Sequence, residues 1–333
     1  MLATLPRVSA PTVDELATFR PELVAHCYRF LACYAEAEDA VQETMTKAWR
    51  HAEGYEGRSS VRTWLYSIAT RVCLDMQRAP QRRSLPMDLA SPGQVPTDPT
   101  TLRRLDDAPW VGPVADAHLP AAADPAEVVG VRDSVRLAFV TALQSLPPRQ
   151  RAALLLRDVL AFSAQECAEL LGTTTVSVNS ALVRARRTLG ELDALEAGGR
   201  DTEVEGAVLA RYVEAFEAYD VERLVGLLRD DVVFSMPPFP LWLSGSSSVE
   251  QWWRGPGEVC RGSRVLTTAA NGSPAAAVYH PVAAGRWEPF ALHVLDVTDD
   301  GRIAGITHFM DTAVFAEFGL PASLSRGSRR GRP

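Results

Sequence analysis

The sequence predicts a multidomain protein in which two all-α helical domains are followed by an α+β domain. Apolar residues recur at three- and four-residue spacing in two separate stretches, which end near residues 83 and 197. A stretch rich in proline, alanine and aspartate divides them. Beyond a Gly-Gly pair at 198 and 199 the pattern changes to short alternating runs separated by glycine turns, which is typical of β-strands.

Length and composition set the limits of this prediction. A chain of 333 residues that is 47% hydrophobic is large enough for two or three packed domains. No apolar run reaches the ~18 residues of a membrane span, and the first residues lack the pattern of a secretory signal. We therefore expect a cytoplasmic protein without a membrane partner. The five cysteines are scattered without metal-ligand spacing, so we expect buried thiols, no metal and no cofactor.

The first domain, predicted for residues 1–85, contains two long helical patterns joined by the loop "RHAEGYEGRSS". One face of the first helix is acidic and polar, and a solvated surface would explain that face equally well. The second helix and the residues after it mix cations with aromatic rings, a combination that suits single-stranded nucleic acid because rings stack on bases. Trp64 could instead belong to the core. The polar face comprises Asp39, Gln42, Glu43 and Thr46, with Lys47 and Trp49 near its end, and the second set comprises Arg62, Trp64, Tyr66, Arg71, Arg78, Arg82 and Arg83.

A flexible linker is predicted over residues 86–125, and a second helical domain over 126–197. Its "FSAQECAELLGTTTVSVNSALVRARRTL" predicts a helix-turn-helix, with Ser163 and Glu166 as a capping box and Gly172 in the turn. One of the threonines at 173–175 would cap the second helix, whose inward face has Val178, Leu182 and Ala185. Its outward residues are short and polar at the start and arginine-rich at the end, as DNA-binding helices require. An amphipathic surface helix with a basic end is the alternative.

Two segments resemble RNA polymerase sigma factors of the extracytoplasmic-function group. "SLPPRQRAALLLRDVLAFSAQECAELLGTTTVSVNSALVRARRTL" resembles region 4, and "AEAEDAVQETMTKAWRHAEGYEGRSSVRTWLYSIATRVCLDMQRAPQRR" resembles region 2. The resemblance implies a protein that binds core RNA polymerase through the β′ clamp helices and the β flap, directs it to promoters and helps to melt them. The chain departs from the family at Asn179, where Lys is frequent, and at Ala181, where Arg is frequent. The loss of two cations should weaken phosphate attraction.

The resemblance also assigns residues to these tasks. The loop at 55–60 resembles the segment that captures a flipped base of the minus-10 element. Core binding would use Asp39, Gln42, Glu43 and Lys47; minus-10 DNA would be bound by Arg58, Arg62, Trp64, Tyr66, Arg71, Arg78 and Arg82; and minus-35 DNA by Thr175, Ser177, Asn179, Ser180, Val183, Arg184, Arg186 and Arg187.

The third domain, predicted for residues 202–320, resembles SnoaL-like domains, which are cone-shaped α+β barrels with an internal pocket. Some relatives use an Asp/His pair there for acid–base chemistry. Here such residues could equally be structural, so we expect no catalytic residue, no enzyme, and a domain that modulates activity in cis. The candidate pocket residues are Trp242, His280, His293, His308 and Asp311, with Phe239, Trp252, Trp253 and Trp287 as further lining candidates.

Charge is unevenly distributed. Residues 200–320 contain 9 Arg, no Lys and 17 Asp plus Glu, a net charge of −8, against −7 for the whole chain. The third domain could therefore compete with DNA for the arginines of the helical domains. A short basic tail, 321–333, follows. Two other hypotheses remain open: a ligand-responsive helix-turn-helix regulator that does not act through polymerase core, and a SnoaL-type enzyme fused to a DNA-binding module. An anti-sigma factor or a small ligand would be the further partner.

Overall fold

A computed structural model describes residues 10–77, 83–121, 130–190 and 201–326. The chain divides into two compact units. One contains the first helical domain and the second from residue 138 onward, and the other contains the third domain together with most of the chain between residues 83 and 137. The predicted order, two helical domains followed by an α+β domain, is confirmed. No helix among the described residues is long and apolar enough to cross a membrane.

The first helical domain is a bundle in which α2, α3 and α4 pack against one another. Cys27 on α2 and Cys73 on α4 are fully buried within it, as expected for thiols that act as small apolar residues. Ser60 caps α4, since its side chain accepts a hydrogen bond from the backbone N–H of Thr63. The helices are α1 Val13–Thr18, α2 Arg20–Leu31, α3 Tyr34–His51 and α4 Val61–Met76.

The second helical domain continues with α5 Leu137–Gln144, α6 Pro148–Leu154, a π-helical turn Leu155–Val159, α7 Ala164–Leu171 and α8 Thr175–Gly190. It packs directly on the first. The Arg151 side chain, 3% exposed, donates to the carbonyl oxygen of Phe30 and, at 3.2 Å, to Oε1 of Gln77. The rings of Tyr66 and Phe162 meet edge to face, with centroids 5.7 Å apart. Each pair joins one helical domain to the other.

The segment predicted as a flexible linker makes ordered contacts where it is described. Ser84 forms a parallel bridge with Trp110, and Val111 N–H donates to Ser84 O. Gly93 N–H donates to the carbonyl of Trp242 at 2.8 Å, and Leu105 N–H donates to the carbonyl of Pro238 at 2.9 Å. The composition predicted little regular secondary structure here. In the structure, backbone N–H groups of this irregular segment instead donate hydrogen bonds to carbonyl groups of the third domain.

The third domain is built on a sheet with the strand order β2-β1-β6-β5-β4-β3, and β7 pairs with β5. The strands β1 and β6 run parallel, whereas the other paired strands run antiparallel, so the sheet is mixed. Helix α9 packs on β3, β4 and β5, whereas α11 packs on β1 and β2. The strands are β1 Leu228–Ser235, β2 Trp242–Ser244, β3 Arg264–Ala270, β4 Ser273–Ala283, β5 Arg286–Val297, β6 Ile303–Phe309 and β7 Leu324–Ser325; the helices are α9 Thr202–Ala218, α10 Val221–Val225, α11 Ser246–Trp253 and α12 Val314–Glu317.

Candidate functional site

The helix-turn-helix forms as the sequence predicts. Ser163 and Glu166 make the capping box, with Glu166 N–H donating to Ser163 Oγ at 3.2 Å and Ser163 N–H to Glu166 Oε2 at 2.7 Å. Gly172 ends α7 at a φ of 60°, where a side chain would be strained. Among the three threonines Thr174 is the cap of α8, because its Oγ1 accepts from Ser177 N–H at 3.2 Å. These local bonds fix the angle at which α8 leaves the turn.

Helix α8 buries one face and exposes the other. Val178, Leu182, Ala185 and Leu189 are at most 5% exposed. The predicted minus-35 residues Ser177, Asn179, Ser180, Val183, Arg184, Arg186 and Arg187 are all exposed, and Thr175 is half-buried at the helix start. Arg186 differs from its neighbours, since its guanidinium forms a bidentate ion pair with Asp158 at 2.7 and 3.0 Å. This ion pair raises the pKa of Arg186. It also occupies the two N–H donors, on Nε and Nη2, with which Arg186 could bind a phosphate.

The polar face of α3 is exposed as predicted. Asp39, Gln42 and Glu43 point to solvent, and Lys47 Nζ lies 3.2 Å from Glu43 Oε1. Trp49 continues this face and is 64% exposed. Our sequence analysis placed it near the end of this face but did not assign it to core binding. Its position three residues after Thr46 could have placed it on the same exposed face.

Two residues of α4 that were predicted to bind DNA, Arg62 and Tyr66, instead contact Glu22 within the protein. Tyr66 is 1% exposed, and its hydroxyl donates to Glu22 Oε2 at 3.1 Å. Burial, together with the charge of Glu22, raises the pKa of Tyr66. Arg62 Nε donates to the same oxygen of Glu22 at 2.7 Å, and its guanidinium lies 4.9 Å from the centre of the Tyr66 ring. In this conformation Arg62 and Tyr66 are therefore both tied to Glu22, and the Tyr66 ring is shielded from solvent.

The other residues of that set are more accessible. Arg58 and Arg71 are exposed, and Arg58 pairs with Glu56. Trp64 is half-buried, with its ring 5.2 Å from that of Tyr55 in the preceding loop. The loop and the helix thus present two aromatic rings next to each other. Arg78 and Arg82 lie outside the described residues.

Two candidate pocket residues of the third domain form a stacked pair. His293 on β5 lies directly opposite His308 on β6, and their rings are parallel within 5° with centroids 3.5 Å apart. His293 Nδ1 lies 2.9 Å from the hydroxyl of Tyr212, whereas the Nε2 atom of each histidine has no hydrogen-bond partner. Burial lowers the pKa of His308 to about 3 and, with the neighbouring His308, that of His293 well below its ordinary value. Both rings are therefore neutral near pH 7.

The remaining pocket candidates lie elsewhere. The Trp242 indole donates to Ala90 O at 2.7 Å and so contacts the segment between the helical domains. His280 stacks on Phe290, with ring centroids 4.8 Å apart. Asp311 is exposed and accepts from Ala313 N–H at 3.0 Å, and no described contact joins it to His308. Within the described ranges no group of three or more His, Cys, Asp or Glu side chains could hold a metal ion.

A single turn of the third domain binds the chain at two points that precede α5. Asn271 and Gly272, both with positive φ, close the β3–β4 hairpin at one of the predicted glycine turns. Asn271 Oδ1 accepts from Val114 N–H at 3.1 Å and Asn271 Nδ2 donates to Val135 O at 2.8 Å. We call Asn271, Val114 and Val135, joined by these two hydrogen bonds, the linker clasp. Gly272 is required because a Cβ there would lie 2.6 Å from Arg132 O.

Buried charges reinforce the linker clasp. Arg136 Nη2 donates to Glu205 Oε1 on α9 at 2.8 Å, and Arg136 Nη1 donates to Ser273 Oγ at 3.0 Å. Glu205 is only 3% exposed. Removal of one partner would leave the other charge buried and uncompensated, so the clasp is a strong attachment.

Comparison with known proteins identifies the parts of this arrangement. The family model Sigma-70 region 2 matches residues 16–83, Sigma-70, region 4 matches residues 136–189, and SnoaL-like domain matches residues 209–306. The chain is 44% identical over 316 residues to "ECF RNA polymerase sigma factor SigG" of Mycobacterium tuberculosis (strain ATCC 25618 / H37Rv), an alignment that covers 92% of this chain and 83% of that protein.

Two further comparisons concern a protein named SigJ. "ECF RNA polymerase sigma factor SigJ" of the same strain is 29% identical over 224 residues, 67% of this chain and 64% of that protein. The crystal structure of Mycobacterium tuberculosis extracytoplasmic function sigma factor SigJ superposes with a TM-score of 0.60 at 23% identity and covers 93% of this chain and 100% of that chain. At this identity the superposition supports the fold alone.

Proposed function

Because this chain belongs to the extracytoplasmic-function group of RNA polymerase sigma factors, we propose that its three domains divide one task, the start of transcription at chosen promoters. As a sigma factor the chain binds core RNA polymerase and directs it to promoter DNA. The first domain binds the core enzyme and the melted strand, the second binds the minus-35 duplex, and the third controls the segment between them. The observation that carries this proposal is the exposed face of α8, which presents short polar side chains and arginines. A helix that served only to pack the domain would not need this combination.

The core enzyme would bind the exposed face of α3. Asp39, Gln42 and Glu43 present acidic and polar groups, and Trp49 adds a large exposed ring at the end of the same face. Interfaces of this kind concentrate their affinity in a few residues, and tryptophan is prominent among them. On this face the carboxylates of Asp39 and Glu43 would orient the partner, and the Trp49 ring would supply a large apolar contact.

This assignment is tested by the affinity of purified core polymerase for the full chain. We expect Asp39→Arg to weaken binding about tenfold or more, because it reverses a charge on the contact face. Asp14→Arg is the matched control, since Asp14 is also exposed on a helix of the same domain but lies outside this face. Equal affinities for the wild type and Asp39→Arg would remove α3 from the core interface.

For the minus-10 strand, the accessible residues are the better candidates. Arg58 and Arg71 can reach a backbone phosphate, and Trp64 with Tyr55 offers rings on which bases stack. Arg62 and Tyr66 would first have to leave Glu22, so we assign them to the positioning of α4. Arg78 and Arg82 remain proposed phosphate contacts on the family resemblance.

Promoter binding requires the two helical domains to separate. Elements named minus-35 and minus-10 lie about 25 base pairs apart, or roughly 85 Å of B-DNA at 3.4 Å per step. Arg151 touches the carbonyl of Phe30 and Tyr66 touches Phe162, so the two helical domains are in contact in the described state. This state therefore precedes promoter binding, and the Arg151 contacts have to break.

The third domain would set how far the helical domains can separate. Between Met76 and Ala138 a fully extended chain could reach roughly 200 Å. The Ser84–Trp110 bridge and the linker clasp each close a loop, and with both intact the same stretch spans at most about 70 Å. We infer that the domain modulates transcription by restricting the distance between the two DNA-binding domains.

The buried histidines favour this structural role over catalysis. A neutral stacked pair whose free nitrogens are inaccessible cannot exchange protons with a substrate, and Asp311 lies outside. We therefore propose that the chain is not an enzyme and that it acts in the cytoplasm, where its polymerase and DNA partners are found.

A further inference from the structure

The exposed face of α8 carries an apolar stripe as well as polar groups. Val176 and Val183 are 73% and 68% exposed. They lie seven residues apart, with Asn179 and Ser180 between them at the three- and four-residue spacings that place all four on adjoining rows of one helix face. Our sequence assignment included Val183, Asn179 and Ser180 but not Val176.

Two exposed valines at such a position need an explanation. A single exposed apolar residue is ordinary. Valine, however, is a poorer helix former than alanine, and two exposed valines flanking one asparagine give α8 an apolar contact surface in the middle of a polar face. In the described part of this helix the other exposed side chains are short polar groups or arginines. Folding does not require this pattern, whereas it suits a partner with an apolar contact point between polar groups.

The chemistry of the major groove matches the pattern. Only thymine presents a methyl group there, and that methyl is the apolar contact available to a valine. An asparagine side chain pairs with adenine, donating to N7 and accepting from N6. From Val176 to Val183 the helix rises about 10 Å, which corresponds to roughly three base-pair steps.

We propose that Val176, Asn179 and Val183 select A·T-rich sequence within the minus-35 element: Asn179 binds an adenine, and the valines contact thymine methyl groups on either side of it. The proposal rests on the sigma-factor function and adds the class of base pair that α8 selects. Arg184 and Arg187, both exposed and without a described ion pair, would hold the flanking phosphates and carry no sequence information.

The test uses holoenzyme assembled from core polymerase and the full chain. A promoter library randomised through the minus-35 region is first selected by transcription. In the best promoter each minus-35 thymine is then replaced singly by deoxyuridine, which removes only the methyl group. We expect one or two positions at which this replacement lowers promoter occupancy about fourfold, the effect of one buried methyl-sized group.

Variants of the two valines show which valine contacts which thymine. Val176→Ala and Val183→Ala should each make one thymine position indifferent to deoxyuridine, and both changes are at exposed sites that leave the core intact. Val13→Ala, an exposed valine of the first domain, is the matched control and should keep the wild-type sensitivity. Asn179→Ala should relax the preference for adenine at one position by at least fivefold.

The outcomes separate the two proposals. If promoters are recovered but deoxyuridine has no effect, or if its effect survives both valine substitutions, the thymine contact is overturned while the sigma-factor function stands. An adenine preference unchanged in Asn179→Ala likewise overturns the asparagine contact. If no library member is transcribed, both proposals fail.

Discussion

At the scale of single residues, the His293–His308 pair shows how strand register creates a chemical environment. Neither residue is unusual in its own strand. The β5–β6 register places them opposite each other, and α9 supplies Tyr212 above His293. Directly opposed side chains in a sheet lie close enough to stack. The result is a buried pair that is stable only while both rings are uncharged.

This predicts a pH dependence of the stability of the third domain. The folded pKa of each histidine lies below the ordinary value of 6.5, so the unfolded chain binds more protons once the pH falls below about 6.5. The free energy of unfolding is therefore highest above that pH and decreases as the pH falls toward 3, by up to about 1.4 kcal/mol per pH unit for each histidine.

Urea denaturation between pH 7 and pH 4.5 checks this prediction. We expect His308→Phe to make the free energy of unfolding less dependent on pH, because one buried titrating group is removed. His280→Phe is the control, since His280 is only half-buried and should contribute less. A pH slope in His308→Phe equal to that of the wild type would show that His308 does not couple protonation to folding.

At the scale of elements, α8 could be predicted almost completely from its sequence. Its cap, the Gly172 turn and the buried face at Val178, Leu182 and Ala185 depend on residues only a few positions apart. The Arg186–Asp158 ion pair could not be predicted, because it joins residues 28 positions apart through the packing of two helices. Sequence patterns capture neighbours along a helix, whereas tertiary partners require the folded structure.

That ion pair leads to a prediction about salt dependence. Asp158→Asn releases the Arg186 guanidinium for a phosphate, so the holoenzyme should bind promoter DNA more tightly at low salt. The plot of log affinity against log salt concentration should become steeper by about one unit, the effect of one additional phosphate contact. Glu169→Gln removes the same charge from the helix-turn-helix without releasing an arginine and should leave the slope nearly unchanged. Identical slopes for Asp158→Asn and the wild type would mean that Arg186 does not reach the DNA.

At the scale of the whole molecule, the segment between the helical domains is where sequence and structure differ most. Its composition predicted an irregular chain, and the structure agrees that it has little regular secondary structure. Its attachment could not be predicted, since it depends on Asn271, 157 residues after Val114 and 136 after Val135. The sequence predicted a glycine turn between these strands, but it did not predict that the asparagine before that glycine also binds Val114 and Val135.

Run-off transcription with purified core polymerase, on promoters whose minus-35 to minus-10 spacing is varied, tests most directly whether the third domain controls the distance between the two DNA-binding domains. The full chain should start transcription within a narrow range of spacings. Asn271→Gly keeps the positive-φ turn but removes both side-chain bonds, to Val114 and to Val135, so this variant should use a wider range of spacings at the same promoters. Ala284→Gly, in the exposed β4–β5 turn, should behave as the wild type. Spacing ranges that are identical for Asn271→Gly and the full chain would contradict the role of the clasp, and no transcript from any fragment would contradict the sigma-factor function itself.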